Sequence, residues 1–258
     1  MPTVVITGAV GNVGRKLRAH LEARGGYALR LFDIAAGDDP AVRKADFSTP
    51  DPAWESAFAG ADVVVHLAAA ASAGADWKAL TGPNVDGVLN VYLAAARQGV
   101  RHVVLASSVW AMRGCADPQI AASDPDPGGN AYGASKLFAE RVALAFWRSH
   151  GISTVAIRLG GCRPGDNPPA PGPDRWEEEV WASNGDTCRG FEQAINAAVE
   201  GVAVINIVSD NEGGRWSLDE AARSIGYHPQ DHGVMSHPLT PPKVSRLRRI
   251  ARRLLGRD

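Results

Sequence analysis

The chain has little cysteine. Only Cys115, Cys162 and Cys188 occur, far apart and never as a CxxC pair. That spacing offers no zinc cage or redox dithiol, and an odd count does not build a disulfide framework. No metal site is expected. No uninterrupted apolar run approaches the length of a membrane span. Net charge is almost absent, −1 from 27 Lys+Arg and 28 Asp+Glu. Without a basic surplus, the body of the chain is not expected to bind nucleic acid. The opening MPTVVITGAVG has neither the basic nor the long apolar stretch of a secretory leader, so a cytoplasmic location is expected.

The small net charge hides an asymmetry. Residues 243–258 hold seven Lys/Arg and one Asp, a net of +6, leaving −7 on the rest. Val244, Leu247, Ala251 and Leu254 fall on one helical stripe of this tail, between arginines. Such a helix suits an anionic membrane surface or an acidic partner, and equally docking on the acidic body.

What is present is an ordinary globular composition, 258 residues with 45% hydrophobic and 21% charged. Apolar, β-branched runs recur at Thr3–Thr7, Tyr27–Asp33, Ala61–Leu67, His102–Ala106, Thr154–Leu159 and Ala203–Val208. Helical spacing fills the intervals at roughly 13–24, 52–58, 84–98, 131–150 and 188–200. Alternating strands and helices predict an α/β fold, a Rossmann-type doubly wound parallel sheet with a small C-terminal substrate lobe. Residues 1–230 are expected to form this unit, with lobe segments at 160–185 and 205–230. Residues 231–242 read as a linker to the 243–258 tail.

Gly8-Ala9-Val10-Gly11-Asn12-Val13-Gly14 follows the first strand and opens a helix. Glycines allow a tight turn and close approach to a pyrophosphate, and the helix N-terminus offers free N–H groups. Asp33 ends the second strand, 19 residues after Gly14. A carboxylate there accepts hydrogen bonds from both adenosine ribose hydroxyls and repels a 2′-phosphate, so NAD is expected over NADP. Asp46 and Phe47 are candidates to flank the adenine. Tyr132 and Lys136 form a YxxxK pair in a chain with only four tyrosines. At i,i+4 they share a helix face, where the ammonium is expected to lower the phenol's pKa for proton transfer. Ser107 and Ser108 end the fourth run, and an extended backbone turns one of them toward a site at the strand's carboxyl end.

In order, TGAVGNVG, HLAAA at 66–70, NVDG at 84–87, LASS at 105–108, YGASK at 132–136 and IRLGGCRPG at 157–165 resemble the short-chain dehydrogenase/reductase superfamily. The match is to its extended branch, the NAD-dependent epimerase/dehydratases, and within it to the uronate dehydrogenases. The resemblance implies an NAD-dependent oxidoreductase acting on a small sugar-like, lactol or secondary-alcohol substrate. Ser108, Tyr132 and Lys136 would be the triad. Leu67, Ala68, Ala69 and Asn84 would lie along the cofactor, with Tyr132 and Lys136 reaching it too. The helices at 84–98 and 131–150 pair subunits in that family, which implies a homodimer. Departures from the uronate dehydrogenases fall in the substrate pocket. Val109 and Trp110 stand where those enzymes have Asn-His, Gly161 stands for a serine, and Ser72 is the one serine in an alanine-rich stretch. With Ser108, these residues are the substrate-binding candidates, and the replacements imply a less polar pocket. The same triad also serves nucleotide-sugar epimerases and dehydratases, and a non-catalytic NAD-binding regulator is the third alternative.

Overall fold

A computed structural model describes residues 1–117, 119–124, 129–170 and 175–233. The expected basic helix at 243–258, and all but the first three residues of the expected linker, lie outside the described residues.

The first half runs β1 (Thr3–Thr7), α1 (Asn12–Arg24), β2 (Ala28–Asp33), β3 (Val42–Lys44), α2 (Pro52–Glu55), β4 (Val63–His66), α3 (Trp77–Leu80) and α4 (Gly87–Arg97). The second runs β5 (His102–Ser108), α5 (Ala131–His150), β6 (Ser153–Leu159), α6 (Trp176–Glu179), α7 (Asn184–Asn196), β7 (Val202–Ile207), β8 (Asp210–Asn211), α8 (Asp219–Ile225) and β9 (His232–Gly233). Seven strands form one parallel sheet in the order β3-β2-β1-β4-β5-β6-β7, with β8 and β9 as a separate pair. This is the expected doubly wound α/β sheet. Between β1 and β4 the winding reverses, which opens a crevice at their carboxyl ends.

Both faces of the sheet are covered, so its strands read as continuous apolar runs rather than alternations. Val4, Val5 and Ile6 of β1 have no exposed surface. On one face, β1, β4 and β5 pack against Trp54 of α2, Val91 and Tyr92 of α4, and Ala139 and Phe146 of α5. On the other they meet Leu17 and Leu21 of α1, Phe191 and Ile195 of α7, and Ala221 of α8. Leu17 and Leu21 lie one turn apart, and each contributes about 2 kcal/mol by leaving water. A third, smaller cluster joins Val109 and Met112 to Trp176, Val180 and Trp216.

Some elements depart from expectation. The helix expected at 188–200 begins at Asn184 and stops at Asn196. The Ser183 hydroxyl accepts the Asp186 N–H at 2.8 Å and starts it early; Ala197 is extended and ends it. The helix expected from 84 is preceded by a wider π-turn over Thr81–Asp86. The linker expected from residue 231 begins in β9, whose His232 and Gly233 pair with Asp210 and Asn211. None of the described helices is long and apolar enough to cross a membrane.

Candidate active site

A cavity of about 830 Å³ opens where β1, β4, β5 and β6 end. At its nucleotide end, Gly8 turns with φ +73°, and a Cβ there would lie 2.7 Å from the Ala68 nitrogen. A Cβ on Gly14 would sit 2.1 Å from the Gly8 carbonyl oxygen. Only glycines fit, because β1 hands over to α1 in backbone contact with the chain leaving β4. No acidic residue occupies the first turn of α1 and no side chain caps it. The N–H groups of Asn12 and Val13 therefore have no partner among the described residues and can serve an anion, with the helix dipole behind them.

Asp33 lies on the same wall, 7% exposed. One carboxylate oxygen accepts the Val10 N–H at 3.0 Å and the other the Ala35 N–H at 2.9 Å. These bonds fix its orientation, and each oxygen keeps further capacity to accept a hydrogen bond. Arg30 is turned away, donating to the Ala57 and Ala59 carbonyls at 2.7 Å each. Asp46, Phe47, Leu67, Ala68 and Ala69 all line the cavity. Phe47 is held edge-on to Trp54, with ring centres 4.8 Å apart.

Deeper in, Ser108, Tyr132 and Lys136 come together from β5 and α5, all buried. Asn130 caps α5 by accepting the Gly133 N–H at 2.6 Å, which fixes where the first turn begins. A Cβ on Gly133 would lie 2.4 Å from the Trp110 carbonyl oxygen, so the helix rests directly on the turn that follows Ser108. The Ser108 hydroxyl accepts the Trp110 N–H at 3.2 Å and faces the same cavity as the Tyr132 phenol. Lys136 donates to the Ala106 carbonyl at 2.9 Å, its nitrogen 5.6 Å from the Tyr132 ring centre.

The electrostatics differ from expectation. Burial raises the Tyr132 phenol above its ordinary pKa, and the nearby Ser108 hydroxyl only partly offsets this. Burial also brings Lys136 down from 10.5 to about 8. The phenol is therefore shifted up rather than down as expected, and burial of the ring, not Lys136, decides the direction.

Ser107 points the other way. Its hydroxyl donates to Glu140 at 2.6 Å, and Arg158 grips the same carboxylate with two bonds of 2.9 Å. This buried pair sits behind the end of β5. His66 Nδ1 and the Thr7 hydroxyl share a hydrogen bond of 2.8 Å, the His66 Nε2 has no partner among the described residues, and burial drives the imidazole pKa down to about 3. It is a neutral core histidine.

Four candidates fall outside the cavity lining. Ala9 is 1% exposed, packs into the core and gives its N–H to Phe32. Asn84 is buried in the π-turn and braces rather than lines: its amide takes the Ala70 N–H at 2.8 Å and donates to the Ser135 hydroxyl at 3.0 Å. Ser72 is exposed, while its neighbours Ala71 and Ala73 line the cavity. Val109 packs against the Trp176–Trp216 cluster because the tight turn Val109–Met112 aims it inward. Trp110 and Gly161 do line the cavity.

Sequence reasoning missed Leu159, Gly160 and Cys162 as lining residues. The signal was their position at the carboxyl end of β6. Arg163 pairs with Glu177 at 3.0 Å on the surface. The Nε and Nη1 of Arg175 are buried without hydrogen-bond partners among the described residues.

A parallel sheet in this order, with a glycine-lined crevice at its reversal and a Tyr–Lys helix beside it, defines a dinucleotide-binding protein of the short-chain dehydrogenase type. The chain belongs to the NAD dependent epimerase/dehydratase family, whose model matches residues 4–161. It is 30% identical to an L-arabinose 1-dehydrogenase (NAD(P)(+)) of Haloferax volcanii, covering 91% of this chain and 98% of that one. It is 32% identical to a uronate dehydrogenase of Pseudomonas putida, covering 88% and 84%. Among solved structures, uronate dehydrogenase from Agrobacterium tumefaciens superposes with a TM-score of 0.77 at 28% identity, covering 90% of this chain and 85% of that one. A mutant of that enzyme complexed with NAD superposes with a TM-score of 0.76 at 27% identity, covering 90% and 86%.

Proposed function

We propose that the protein is an NAD-dependent dehydrogenase acting on a carbinol or lactol carbon of a small sugar-like or secondary-alcohol substrate. The observation that carries this is the convergence of Ser108, Tyr132 and Lys136 on a cavity whose other end is the glycine cradle. The donor set fits a dinucleotide: Asn12 and Val13 N–H groups for the pyrophosphate, Asp33 for the adenosine ribose, Lys136 for the nicotinamide ribose. When bound, NAD supplies the hydride acceptor.

The chain's own residues hold the substrate and move one proton. Ser108 orients the substrate oxygen. Tyr132 exchanges a proton with it, taking one as the substrate is oxidised and returning one in the reverse direction. Lys136, tied to Ala106, keeps positive charge beside the ring and favours the phenolate. Asp33 disfavours a 2′-phosphate, so NAD is the partner rather than NADP. The compact C-terminal segments of the 1–230 unit support a small substrate, and a second copy of the chain is the proposed partner subunit.

The test is Tyr132→Phe, followed by NADH absorbance over a panel of sugars, uronates and alcohols. Turnover should fall at least 100-fold while NAD affinity stays within a few-fold. Full activity in the variant would overturn the proton-transfer role.

A further inference from the structure

The substrate end of the cavity can be mapped from the triad outward. Trp110 stands two residues past Ser108, and Leu159 is the β6 partner of Ser108 in the sheet register. Gly161 and Cys162 follow Leu159. Ala73 is fastened to the start of α5, its carbonyl accepting the Asn130 amide at 3.1 Å. Among the described residues, the side chains mapped next to the triad are thus an indole, a leucine, an alanine and, at Gly161, none; the Cys162 thiol is turned toward α1, 3.4 Å from the Lys16 ammonium.

Backbone groups could still serve a polar substrate, but several are already engaged. The Gly160, Gly161 and Cys162 N–H groups go to the carbonyls of Ile207, Val180 and Gly160 at 2.8, 2.6 and 2.9 Å. The Trp110 N–H goes to Ser108, and both polar groups of Ala70 are held by Asn84. The Gly161 and Cys162 carbonyls accept from Ala182 and Asn12. Beyond Ser108 and Tyr132, the mapped wall adds, among the described residues, the Trp110 indole N–H as a polar side-chain group, the Cys162 thiol being taken up between Lys16 at 3.4 Å and Asn184 at 3.7 Å. A buried hydroxyl without a partner costs roughly ten-fold or more in binding.

Resting on the dehydrogenase reading above, we infer that the substrate is hydroxyl-poor: one carbinol or lactol carbon flanked by carbons without hydroxyls, its ring or chain lying against Trp110. The reacting hydroxyl gives its proton to Tyr132, the carbon gives its hydride to NAD, and the product is a ketone or lactone. The three hydroxyls that a pentopyranose or hexuronate carries beyond the reacting one find no matching set of partners among the described residues.

The experiment compares matched pairs of equal charge on the NAD-loaded protein. 2-Hydroxytetrahydropyran is set against L-arabinose, and 6-hydroxytetrahydropyran-2-carboxylate against D-galacturonate. NADH formation should give kcat/KM at least ten-fold higher for the deoxygenated member of each pair. Calorimetry on Tyr132→Phe with NAD should show the same order in Kd, independent of turnover. Trp110→Phe should keep the preference, and Trp110→Asn should narrow it several-fold. Equal or better turnover of arabinose or galacturonate would overturn the hydroxyl-poor assignment and leave the dehydrogenase reading standing. NAD binding with no NADH from any of the four would overturn the dehydrogenase reading, and this assignment with it.

Discussion

Replacing Lys136 with methionine should remove activity and stabilise the nucleotide-free fold. The side chain is 6% exposed and, among the described residues, makes one hydrogen bond, to the Ala106 carbonyl. Burial depresses its pKa from 10.5 to about 8, so folding with a charged lysine is disfavoured by roughly 3 kcal/mol at neutral pH. Losing the bond to Ala106 offsets roughly 1 kcal/mol of any gain. Lys136→Met should therefore be about 2 kcal/mol more stable at pH 7, a rise in Tm of several degrees for a chain this size. The sign with pH follows from proton counting. Below about pH 8 the lysine is charged in both folded and unfolded chains, and the full penalty stands. Between about 8 and 10.5 the unfolded chain binds more protons, so the wild-type protein gains stability relative to the variant. Urea unfolding followed by tryptophan fluorescence, at pH 7 and pH 10 on nucleotide-free protein, measures the difference. A variant less stable than wild type at pH 7, or an advantage equal at both pH values, would refute the reasoning.

Arg158→Met should destabilise the protein by roughly 3–5 kcal/mol in urea unfolding, because it strands the Glu140 carboxylate beside Ser107. The double variant Glu140→Leu/Arg158→Met should recover much of that loss, since no charge is then buried alone. Asp33→Ala should weaken NAD binding by about ten-fold and narrow the gap between NAD and NADP, read as Kd by fluorescence titration. A variant that keeps the wild-type NAD/NADP ratio would remove Asp33 from ribose recognition.

The parts of the fold legible in the sequence were those with dense local signals. The run Thr3–Thr7 followed by three glycines admits few other readings, and α5 lies where YGASK and its flanks predicted, from Ala131 to His150. Strand β3 is three residues long, too short for a periodicity to register. The early start of α7 was signalled by Ser183 and Asp186 at cap spacing, but no apolar stripe supported it until Cys188. Cavity-lining residues were legible where chemistry fixes the residue type, as at Tyr132, Lys136 and Asp33. They were not where a neighbour in sequence turns the other way. Ser72 and Val109 each adjoin lining residues, and nothing local decides between adjacent side chains. The behaviour of the Tyr132–Lys136 pair was also illegible, since spacing reports proximity and says nothing of the water excluded around both groups.

The three residues between Tyr132 and Lys136 are usually written as arbitrary letters. In this protein they are not interchangeable. Position 133 has no room for a side chain against the Trp110 carbonyl. The Ser135 hydroxyl donates to the Tyr132 carbonyl at 2.7 Å and accepts from Asn84, joining the helix to the loop that carries Ala70. A pattern search that scores only the first and last letters thus discards information the fold has written into the middle. In a library randomised across 132–136, tolerance at position 133 should be as narrow as at the two positions proposed to be catalytic, for a reason of volume rather than reactivity.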